Sequence, residues 1–476
     1  NENIGKGAVK MTIKPEKLEG YDLLHKGALD NAKAEAQGMR IDSEYCERKK
    51  KHLTRKIERL ERKLKQTKFF RHWQHVMKNP NIDSNWQLAR FLYEIKKIKP
   101  TKLTPSGKGA TDEEALSQID IPEVKIILEL RKLKKLRDTY LDAFAREQVN
   151  GIIHPFFNLH TVKTYRSSSD RPNFQNIPKR DKEAMKICRG SILPRKGFQL
   201  LEVDYSGIEV RIGECYHKDP VMKKYIENPE SDMHGDMAAQ IFKIEDFDKS
   251  IPEHKYLRNA AKNSFVFPQF YGDYYVNCAE GLACKWGHLP KGKWKKGQGV
   301  PMPEGSLSDH LIKVGIKSYS EFEEHIKEVE YDFWYRRFKV YQKWKDKLWK
   351  EYQRKGYIDT LTGFRIGGLM RKNEVINSPI QGSAFHCLLW SFIQLDEISE
   401  KEGWNTKLIG QIHDSILFDA DPKELNYVVP IIESVMTEDI RKAWDWIIVP
   451  LEVEMDICEP DRPWSEKKEF LWKGGN

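Results

Sequence analysis

The chain has 476 residues, of which 39% are hydrophobic, so it can form two or three subdomains around a sizeable core. Lys and Arg number 81 against 71 Asp and Glu, and the net charge of +10 favours a polyanionic partner such as nucleic acid. No apolar run has the length of a membrane span, and the first residues lack the apolar core of a signal peptide. We therefore predict a cytoplasmic protein that makes no membrane contact.

The first long helix is predicted near residues 43–66, where Asp42 or Ser43 can cap its start. Apolar residues recur on one face of this helix, and Lys and Arg cover the other face. The basic face is either exposed to solvent on a helical hairpin or lies along a phosphate backbone. A loop rich in Pro, Gly and Lys at 97–111 and a second amphipathic helix at 122–147 complete a projecting, mostly helical subdomain.

A polar segment follows at 164–178, and its Pro content and lack of periodicity argue against a helix. It concentrates hydroxyl, amide and guanidinium groups, which suit hydrogen bonds to phosphates, sugars and minor-groove base edges. The alternative is a plain polar surface loop.

Two acidic residues stand at the ends of apolar runs. The run that begins at Phe198 predicts a buried strand with Asp204 at its end, followed by a helix. An Asp in this place usually caps the helix. A second pair of apolar runs, at 408–418, predicts a tight β-hairpin with His413 and Asp414 at its turn. The two carboxylates together favour a functional site over two unrelated turns.

The segment 258–272 combines cations with aromatic residues. Arg258 and Lys262 are four residues apart, so both project from one helical face and can bind a triphosphate. The aromatic residues further along, up to Tyr271, can face a base. A basic loop with interleaved aromatics at 285–299 either stacks on single-stranded bases or is a surface insertion. The aromatic stripe at 331–352 is predicted to be core packing.

These features converge on metal-assisted phosphoryl transfer. Asp204 and Asp414 would hold two Mg²⁺ ions, since hard cations prefer oxygen ligands. One ion would lower the pKa of an attacking 3′-hydroxyl, and the other would clamp the triphosphate and stabilise the leaving pyrophosphate.

Four motifs carry a family resemblance: Asp-Tyr-Ser-Gly-Ile-Glu-Val-Arg at 204–211, Arg-Asn-Ala-Ala-Lys with the following Phe and Tyr-Gly at 258–272, Gln-Ile-His-Asp at 411–414, and Arg-Ser-Ser-Ser-Asp with Asn-Phe-Gln-Asn-Ile-Pro at 166–178. In this order they resemble the motifs of the family A DNA polymerases, the class of bacterial DNA polymerase I. The resemblance implies an α+β right-hand fold with an antiparallel-sheet palm, helical fingers and a helical thumb. The implied ranges are an N-terminal segment on the palm at 1–41, thumb at 42–147, palm at 148–215 and 357–476, and fingers at 216–356.

The resemblance also implies roles for individual residues. The implied metal ligands are Asp204, Asp414 and the main-chain carbonyl of Tyr205. The residues implied to contact the triphosphate are Arg258, Lys262 and His234, and Lys262 would also protonate the leaving pyrophosphate. Phe267 and Tyr271 would flank the nascent base pair, and Glu209 would act with them as a steric gate against a ribose 2′-hydroxyl. The residues implied to touch primer-template DNA are Arg166, Asn173, Gln175, Asn377, Gln381 and, at the primer terminus, His413.

The chain departs from the family pattern in three places. Phe267 is nine residues after Arg258 where the family has eight, so we predict a helical bulge between Lys262 and Phe267, with Phe265 as the rival for the same role. Ser415 stands where the family usually has Glu. Single-subunit phage RNA polymerases also have Ser at this position. The region near 274–305 is predicted to be an insertion. The sequence of 262–272 also resembles bacteriophage enzymes.

The predicted function is template-directed DNA synthesis by a monomer that adds deoxynucleoside triphosphates to a primer, releasing pyrophosphate. A processivity or replisome partner is left open, and no region resembles a proofreading exonuclease. One alternative is a single-subunit RNA polymerase, which Ser415 suggests and which Glu209 and the 166–178 segment oppose. A second is a catalytically inactive nucleic acid clamp. For a viral enzyme the predicted location is the cytoplasm of the bacterial host.

Overall fold

The computed structural model describes residues 15–104, 106–179 and 181–472. It combines many helices with small antiparallel sheets, so it belongs to the predicted α+β class. Over these residues no helix is long and apolar enough to cross a membrane. Residues 1–14 of the predicted N-terminal segment, Pro105 of the predicted loop and residues 473–476 lie outside the described part.

The described residues up to Glu147 are mainly helical. Asp42 accepts a hydrogen bond from the amide of Tyr45 at 2.8 Å, so it caps the first long basic helix as predicted. The second predicted long helix is continuous but contains a π-helical turn. The elements in order are α1 (Gly20–Gln37), β1 (Met39–Ile41), α2 (Ser43–Lys65), α3 (Lys68–Met77), α4 (Asn85–Ala89), a π-helical segment (Arg90–Ile95), α5 (Glu113–Ser117), α6 (Pro122–Lys134), a π-helical segment (Lys135–Leu141) and α7 (Asp142–Glu147).

Short strands and one long strand follow. The elements are β2 (Ile152–Ile153), β3 (Phe156–Asn158), β4 (Ser168–Asp170), α8 (Lys182–Arg189), β5 (Ile192–Leu193), β6 (Gln199–Tyr205) and α9 (Ile208–His217). The apolar run that begins at Phe198 therefore forms a strand, as its sequence predicts.

The next 140 residues are again mainly helical. The elements are α10 (Pro220–Glu227), α11 (Met233–Phe242), α12 (Pro252–Ala261), a π-helical segment (Lys262–Val266), α13 (Phe267–Phe270), α14 (Tyr275–Glu280), a π-helical segment (Gly281–Trp286), β7 (Pro301–Met302), β8 (Gly305–Ser306), α15 (Leu307–Lys313), α16 (Tyr319–Tyr331), a π-helical segment (Asp332–Arg337) and α17 (Lys339–Lys355).

The last part returns to the sheet. The elements are β9 (Tyr357–Asp359), β10 (Arg365–Gly367), α18 (Lys372–Glu402), β11 (Lys407–Ile412), β12 (Ser415–Ala420), α19 (Leu425–Ser434), a π-helical segment (Val435–Asp439), α20 (Ile440–Ala443), β13 (Val453–Ile457), a 3₁₀ turn (Trp464–Glu466) and β14 (Lys468–Glu469). Helix α18 begins at Lys372, five residues before Asn377.

The largest sheet has five strands in the order β11-β12-β6-β13-β14, and all its pairs are antiparallel. Strand β6 lies at its centre, between β12 and β13. Side chains alternate between the two faces of a strand. Leu201 and Val203 pack on one face against α18, whereas Leu200 packs on the other face with the helices of the first 147 residues. The sheet is therefore buried on both faces.

Three large hydrophobic cores and one small cluster, around Ile358 and Ile366, organise the described residues. The first joins one sheet face to α18, α19 and α1. The second joins the other sheet face to the helices of residues 43–144. The third lies within residues 222–341 and shares no buried residue with the sheet. The chain therefore has a sheet region at its centre and two mainly helical regions that pack around separate cores.

Candidate active site

Strand pairing brings Asp204 and Asp414 together. Ser415 on β12 lies directly opposite Asp204 on β6, and Asp414 is the residue before it. The amide of Tyr205 donates a hydrogen bond to the carbonyl oxygen of Asp414 at 3.0 Å. His413 adopts the left-handed backbone conformation (φ 55°) that the tight turn requires. The predicted hairpin is thus present, and the two carboxylates lie side by side at one end of the central strands.

Both carboxylates are partly buried, with 33% of the Asp204 and 29% of the Asp414 side chain exposed. Burial raises the pKa of Asp414 to about 6, against the opposing effect of Arg166, whose Nη2 lies 3.5 Å away. Burial also raises the pKa of Asp204, although Lys179 opposes the shift from 3.3 Å. Two desolvated acidic groups at one place favour binding of a further cation.

The donor set at this point fits a hard divalent cation, because it consists of carboxylate oxygens with main-chain carbonyls beside them. The phenol of Tyr205 is not available, since it is buried and bonded to Ser391 at 2.9 Å, so only its main chain can take part. Ser415 is buried, and its hydroxyl donates to the carbonyl of Ile412 at 3.0 Å. Among the described residues there is no cluster of three or more His, Cys, Asp or Glu side chains that could hold a metal.

A cavity of about 580 Å³ opens beside Asp414. Its walls come from the sheet end, α9, the helical segment around Phe267, α17 and α18. The predicted site residues in its wall are Arg166, Glu209, Phe267, Tyr271, Asn377, Gln381, His413 and Asp414. Five separate stretches of sequence thus meet around one space large enough for a nucleotide-sized ligand.

A chain of polar contacts crosses the cavity wall. The hydroxyl of Tyr271 donates to the carboxylate of Glu209, and Nη1 of Arg166 donates to the other oxygen of Glu209 at 3.3 Å. Arg166 also reaches Asp414, so it links the acidic pair to the Glu209–Tyr271 pair. Asn377 donates to the carbonyl of Tyr271 at 3.0 Å. Burial and the adjacent Glu209 both raise the pKa of the Tyr271 hydroxyl, which stays protonated and keeps donating.

The predicted triphosphate residues lie on adjoining helices. Lys262 has its Nζ 5.3 Å from the ring centre of Phe267, and the ring of His234 stands edge-on to Phe267 at 5.7 Å. Arg258 is held by Asp232 through an Nε–Oδ2 contact of 2.6 Å. Burial lowers the pKa of His234 to about 4, and the cations Lys262 and Arg258 add to this effect. His234 is therefore neutral at pH 7, and its buried Nδ1 has no hydrogen-bond partner among the described residues.

The predicted bulge between Lys262 and Phe267 is confirmed, because residues Lys262–Val266 form a π-helical turn. A π-helical turn accommodates one extra residue within a continuous helix. Phe267 then lines the cavity, whereas Phe265 is fully buried against Phe333 at 5.4 Å between ring centres. The structure thus places Phe267 and not Phe265 at the cavity.

Asn173 and Gln175 do not reach the main cavity. They line a smaller neighbouring space of about 280 Å³, which shares Arg166 and His413 with the main one. Gln175 is buried, and its side-chain amide donates to Ser167 at 2.8 Å. Asn173 accepts a hydrogen bond from the amide of Asn176 at 3.2 Å. Their amides therefore stabilise the fold of the polar segment, while its Ser and Arg side chains line the space.

Several residues at the site were missed by sequence reasoning. Lys179 contacts Asp204 and lines the cavity, and its position just after the polar 164–178 segment was the available signal. Tyr341 was predicted to be core, and it is buried, but it also lines the cavity and stacks on His217 at 3.8 Å. Asp232 was not predicted to hold Arg258.

A buried charge cluster supports β6 behind Asp204. Glu202 accepts hydrogen bonds from Lys467 at 2.6 Å and from the indole of Trp464 at 2.8 Å, and Arg189 lies 3.4 Å away. Burial alone would raise the pKa of Glu202, but Lys467 and Arg189 outweigh it and lower the pKa. Glu202 is on the same strand face as Asp204, so the cluster holds the strand that positions the acidic pair.

The family model described as DNA polymerase family A matches residues 43–287 and 318–464. The chain belongs to this family. DNA polymerase I of Aquifex aeolicus is 29% identical over 437 residues, and the alignment covers 90% of this chain and 65% of the relative. The thermostable DNA polymerase I of Thermus filiformis is 28% identical, with 92% of this chain and 47% of the relative covered. The chain thus spans less than two thirds of these relatives.

The solved structure of the polymerase domain of Pol1 from M. smegmatis, in complex with DNA primer-template and dNTP, has a TM-score of 0.70 and 24% identity to this chain. The similarity covers 93% of this chain and 70% of that one. It confirms the predicted α+β polymerase fold. The segment between the two matched ranges, 288–317, overlaps the insertion predicted near 274–305 and contains β7 and β8.

Proposed function

We propose that this chain is a template-directed DNA polymerase, which adds deoxynucleoside triphosphates to a primer 3′-hydroxyl and releases pyrophosphate. The observation that carries the proposal is the adjacent pair Asp204 and Asp414 at the edge of a cavity whose other walls present cations and aromatic rings. Membership of DNA polymerase family A supports the same activity.

Asp204, Asp414 and the main chain of Tyr205 would hold two Mg²⁺ ions. When bound, such ions lower the pKa of the attacking hydroxyl and stabilise negative charge on the leaving pyrophosphate. Lys179 and Arg166 serve as counter-charges to the two carboxylates in the free protein. A metal cation bound to the two carboxylates would neutralise them in place of Lys179 and Arg166. Both basic side chains could then contact phosphate groups of the substrate.

Lys262, Arg258 and His234 would contact the triphosphate, and Lys262 would give a proton to the leaving pyrophosphate. Arg258 exchanges its contact with Asp232 for a phosphate in this scheme. His234 is neutral at pH 7, so it donates a hydrogen bond from its ring and adds no charge.

Phe267 and Tyr271 would flank the nascent base pair, and Glu209 would exclude a ribose 2′-hydroxyl. The bond between Tyr271 and Glu209 supports this role, because it fixes both side chains at the cavity wall. This pair also favours DNA synthesis over the RNA polymerase alternative that Ser415 suggests.

Primer-template DNA would contact Arg166, Asn173, Gln175, Asn377, Gln381 and His413. In this assignment residues 42–147 are the thumb, 148–215 and 357–476 the palm, and 216–356 the fingers. The three separate hydrophobic cores support the division. The proposal describes a monomer that acts in the cytoplasm, and the resemblance of 262–272 to bacteriophage enzymes suggests a viral origin.

Primer extension tests the proposal. With Mg²⁺ and a DNA primer-template, the protein should add all four deoxynucleotides and add ribonucleotides much more slowly. Equal use of the two sugars would favour the RNA polymerase alternative. Tight primer-template binding with no extension by the folded protein would favour the inactive clamp.

A further inference from the structure

Helix α13 is the turn that carries two residues of the cavity wall, since Phe267 begins it and Tyr271 follows it. It comes directly after the π-helical turn Lys262–Val266, where the regular hydrogen bonds of an α-helix are interrupted. Pro268, its second residue, has no amide hydrogen to donate to the preceding turn. The backbone alone therefore fixes the rotation of α13 only weakly, and side chains have to complete the task.

Gln269 lies on the side of α13 opposite to Phe267 and Tyr271. It is two residues from each of them, and two residues correspond to slightly more than half a helical turn. Gln269 is only 1% exposed. A buried amide destabilises a protein unless its hydrogen bonds are made. The partners of Gln269 therefore determine which way α13 faces.

The Gln269 side chain uses both its donor and its acceptor group. Its Nε2 donates to Oε2 of Glu330 at 2.5 Å and also faces the sulfur of Cys278 at 3.5 Å. Its Oε1 accepts a hydrogen bond from the indole of Trp334 at 2.6 Å. Glu330 and Trp334 are four residues apart, so successive helical turns hold the amide. We call Gln269, Glu330 and Trp334 the α13 anchor.

The α13 anchor is packed against the cavity wall. Lys345 of α17 is buried and has its Nζ 3.0 Å from the centre of the Trp334 ring. Phe270, next to Gln269 in the chain, packs on Trp334 at 6.2 Å and on Tyr341 at 5.9 Å between ring centres. Phe270 and Tyr341 both line the cavity. A shift of the anchor would therefore change the shape of the cavity.

We propose that Gln269 is a positioning residue for nucleotide selection, which acts through Phe267 and Tyr271. The α13 anchor fixes the rotation of α13, and this rotation aims the Phe267 ring and the Tyr271 hydroxyl into the cavity. A buried polar network with all its hydrogen bonds made specifies one arrangement. Glu209 is included through its hydrogen bond from Tyr271. The proposal rests on the proposed function, since it requires that the cavity bind a nucleoside triphosphate.

The test removes or exchanges the partners of the anchor. Gln269→Leu removes its hydrogen bonds at similar volume. Gln269→Glu places two carboxylates face to face, and Glu330→Gln places two amides there. The double variant has one carboxylate and one amide again, with their places exchanged, and can still accept the Trp334 indole hydrogen. Leu311→Ala is the control, because it truncates a fully buried side chain of the same hydrophobic core on α15.

The measurements are kcat and KM for one deoxynucleotide, and the ratio of kcat/KM for deoxy- over ribonucleotides, in proteins that thermal melting shows to be folded. We expect Gln269→Leu to raise KM and to lower the sugar ratio, each about tenfold, because the substrate meets misplaced side chains. Each single exchange should change both values in the same directions. The double variant should return both to within about threefold of wild type.

The control separates positioning from stability. Leu311→Ala should lower the melting temperature and leave the sugar ratio unchanged. Equal changes of this ratio in Leu311→Ala and Gln269→Leu would overturn the inference, because lost stability alone would explain them. Wild-type KM and sugar ratio in Gln269→Leu would overturn it as well.

Hydrogen exchange tests the anchor without substrate. The amides of Tyr271 and Gly272 donate to the carbonyls of Phe267 and Gln269 at 3.0 and 3.2 Å. Both amides should exchange faster in Gln269→Leu and at the wild-type rate in the double variant. Unchanged exchange in Gln269→Leu would overturn the inference whether or not the protein extends a primer. Failure of wild type to extend a primer would count against the proposed function instead.

Discussion

At the scale of single residues, Arg166 connects the two chemical halves of the cavity. It donates to Glu209 on one side and to Asp414 on the other, at 3.3 and 3.5 Å. If Glu209 selects the sugar and Asp414 binds metal, as we propose, one guanidinium connects the two functions, and its planar fork suits two acceptors at once.

Glu209→Ala should weaken discrimination against ribonucleotides. The variant removes the acceptor of the Tyr271 hydrogen bond and opens space beside the sugar. A hydrogen bond to a charged group is worth about 1.5 to 3 kcal/mol, so the ratio of kcat/KM for deoxy- over ribonucleotides should fall at least about tenfold. Tyr271→Phe should give a smaller decrease in the same direction. An unchanged ratio in Glu209→Ala would remove Glu209 from sugar selection.

Phe267→Tyr should increase incorporation of dideoxynucleotides, because the added hydroxyl would enter the cavity that Phe267 lines, where the proposed function puts the sugar of the substrate. Phe265→Tyr is the matched control, since its hydroxyl would enter the fully buried core beside Phe333. The measurement is the ratio of dideoxy to deoxy incorporation in each variant. A larger increase in the Phe265 variant would show that the wrong phenylalanine has been placed at the sugar.

At the scale of elements, β6 carries Asp204 near its end and is supported by a buried charge cluster around Glu202. Glu202 carries the negative charge of a cluster with Arg189 and Lys467, and the Arg189 side chain is only 2% exposed. Removing one partner of a buried ion pair leaves the other without compensation. The stability of β6 and the position of Asp204 are therefore coupled through this cluster.

Glu202→Gln should lower the free energy of unfolding by about 3 kcal/mol. Glu454→Gln is the control, because Glu454 is exposed on the adjacent strand β13, opposite Asp204. The free energy of unfolding of Glu454→Gln should stay within about 0.5 kcal/mol of the wild-type value. Denaturant unfolding of both variants measures the two values, and equal midpoints would show that the buried cluster does not stabilise β6.

Helix α9 has a buried acid whose effect depends on pH. Burial, with a further contribution from Asp219, raises the pKa of Glu214 to about 8, and Glu214 lies 3.3 Å from the buried His217. The folded protein therefore retains a proton that the unfolded chain releases above pH of about 4.5. Stability from this group is lost as pH rises towards 8.

Glu214→Gln cannot ionise, so its stability relative to wild type should increase between pH 6 and pH 8. The difference in free energy of unfolding between the variant and wild type should grow by up to about 1.4 kcal/mol per pH unit. His217, whose pKa burial lowers to about 3, titrates outside this range in the folded protein. Melting temperatures at pH 6, 7, 8 and 9 measure the gain. A difference that is constant with pH would contradict a protonated Glu214 at neutral pH.

At the scale of the whole molecule, the parts predicted from sequence are those with local signals. The apolar run before Asp204 and the two runs around His413 and Asp414 predicted a strand and a hairpin, and both are present. The spacing of Arg258 and Phe267 predicted the π-helical turn. Each of these depends on residues that are close in the chain.

The parts that could not be predicted depend on residues far apart in the chain. Glu202 meets Lys467 across 265 positions, and no local pattern marks either residue as a partner of the other. The aromatic stripe at 331–352 was predicted to be core, which is right for Tyr341 but wrong for Tyr331, whose side chain is 55% exposed. Burial of Tyr341 also did not reveal that its side chain lines the cavity.

Asp204 and Asp414 are proposed to act together as the catalytic pair. The most direct test of this role is the single-turnover rate constant for adding one deoxynucleotide to a bound primer-template with Mg²⁺, for wild type, Asp204→Asn and Asp414→Asn. The pair predicts that each variant binds primer-template within a few-fold of wild type and loses about 10³-fold or more in rate. A rate constant within about tenfold of wild type in either variant would contradict the claim.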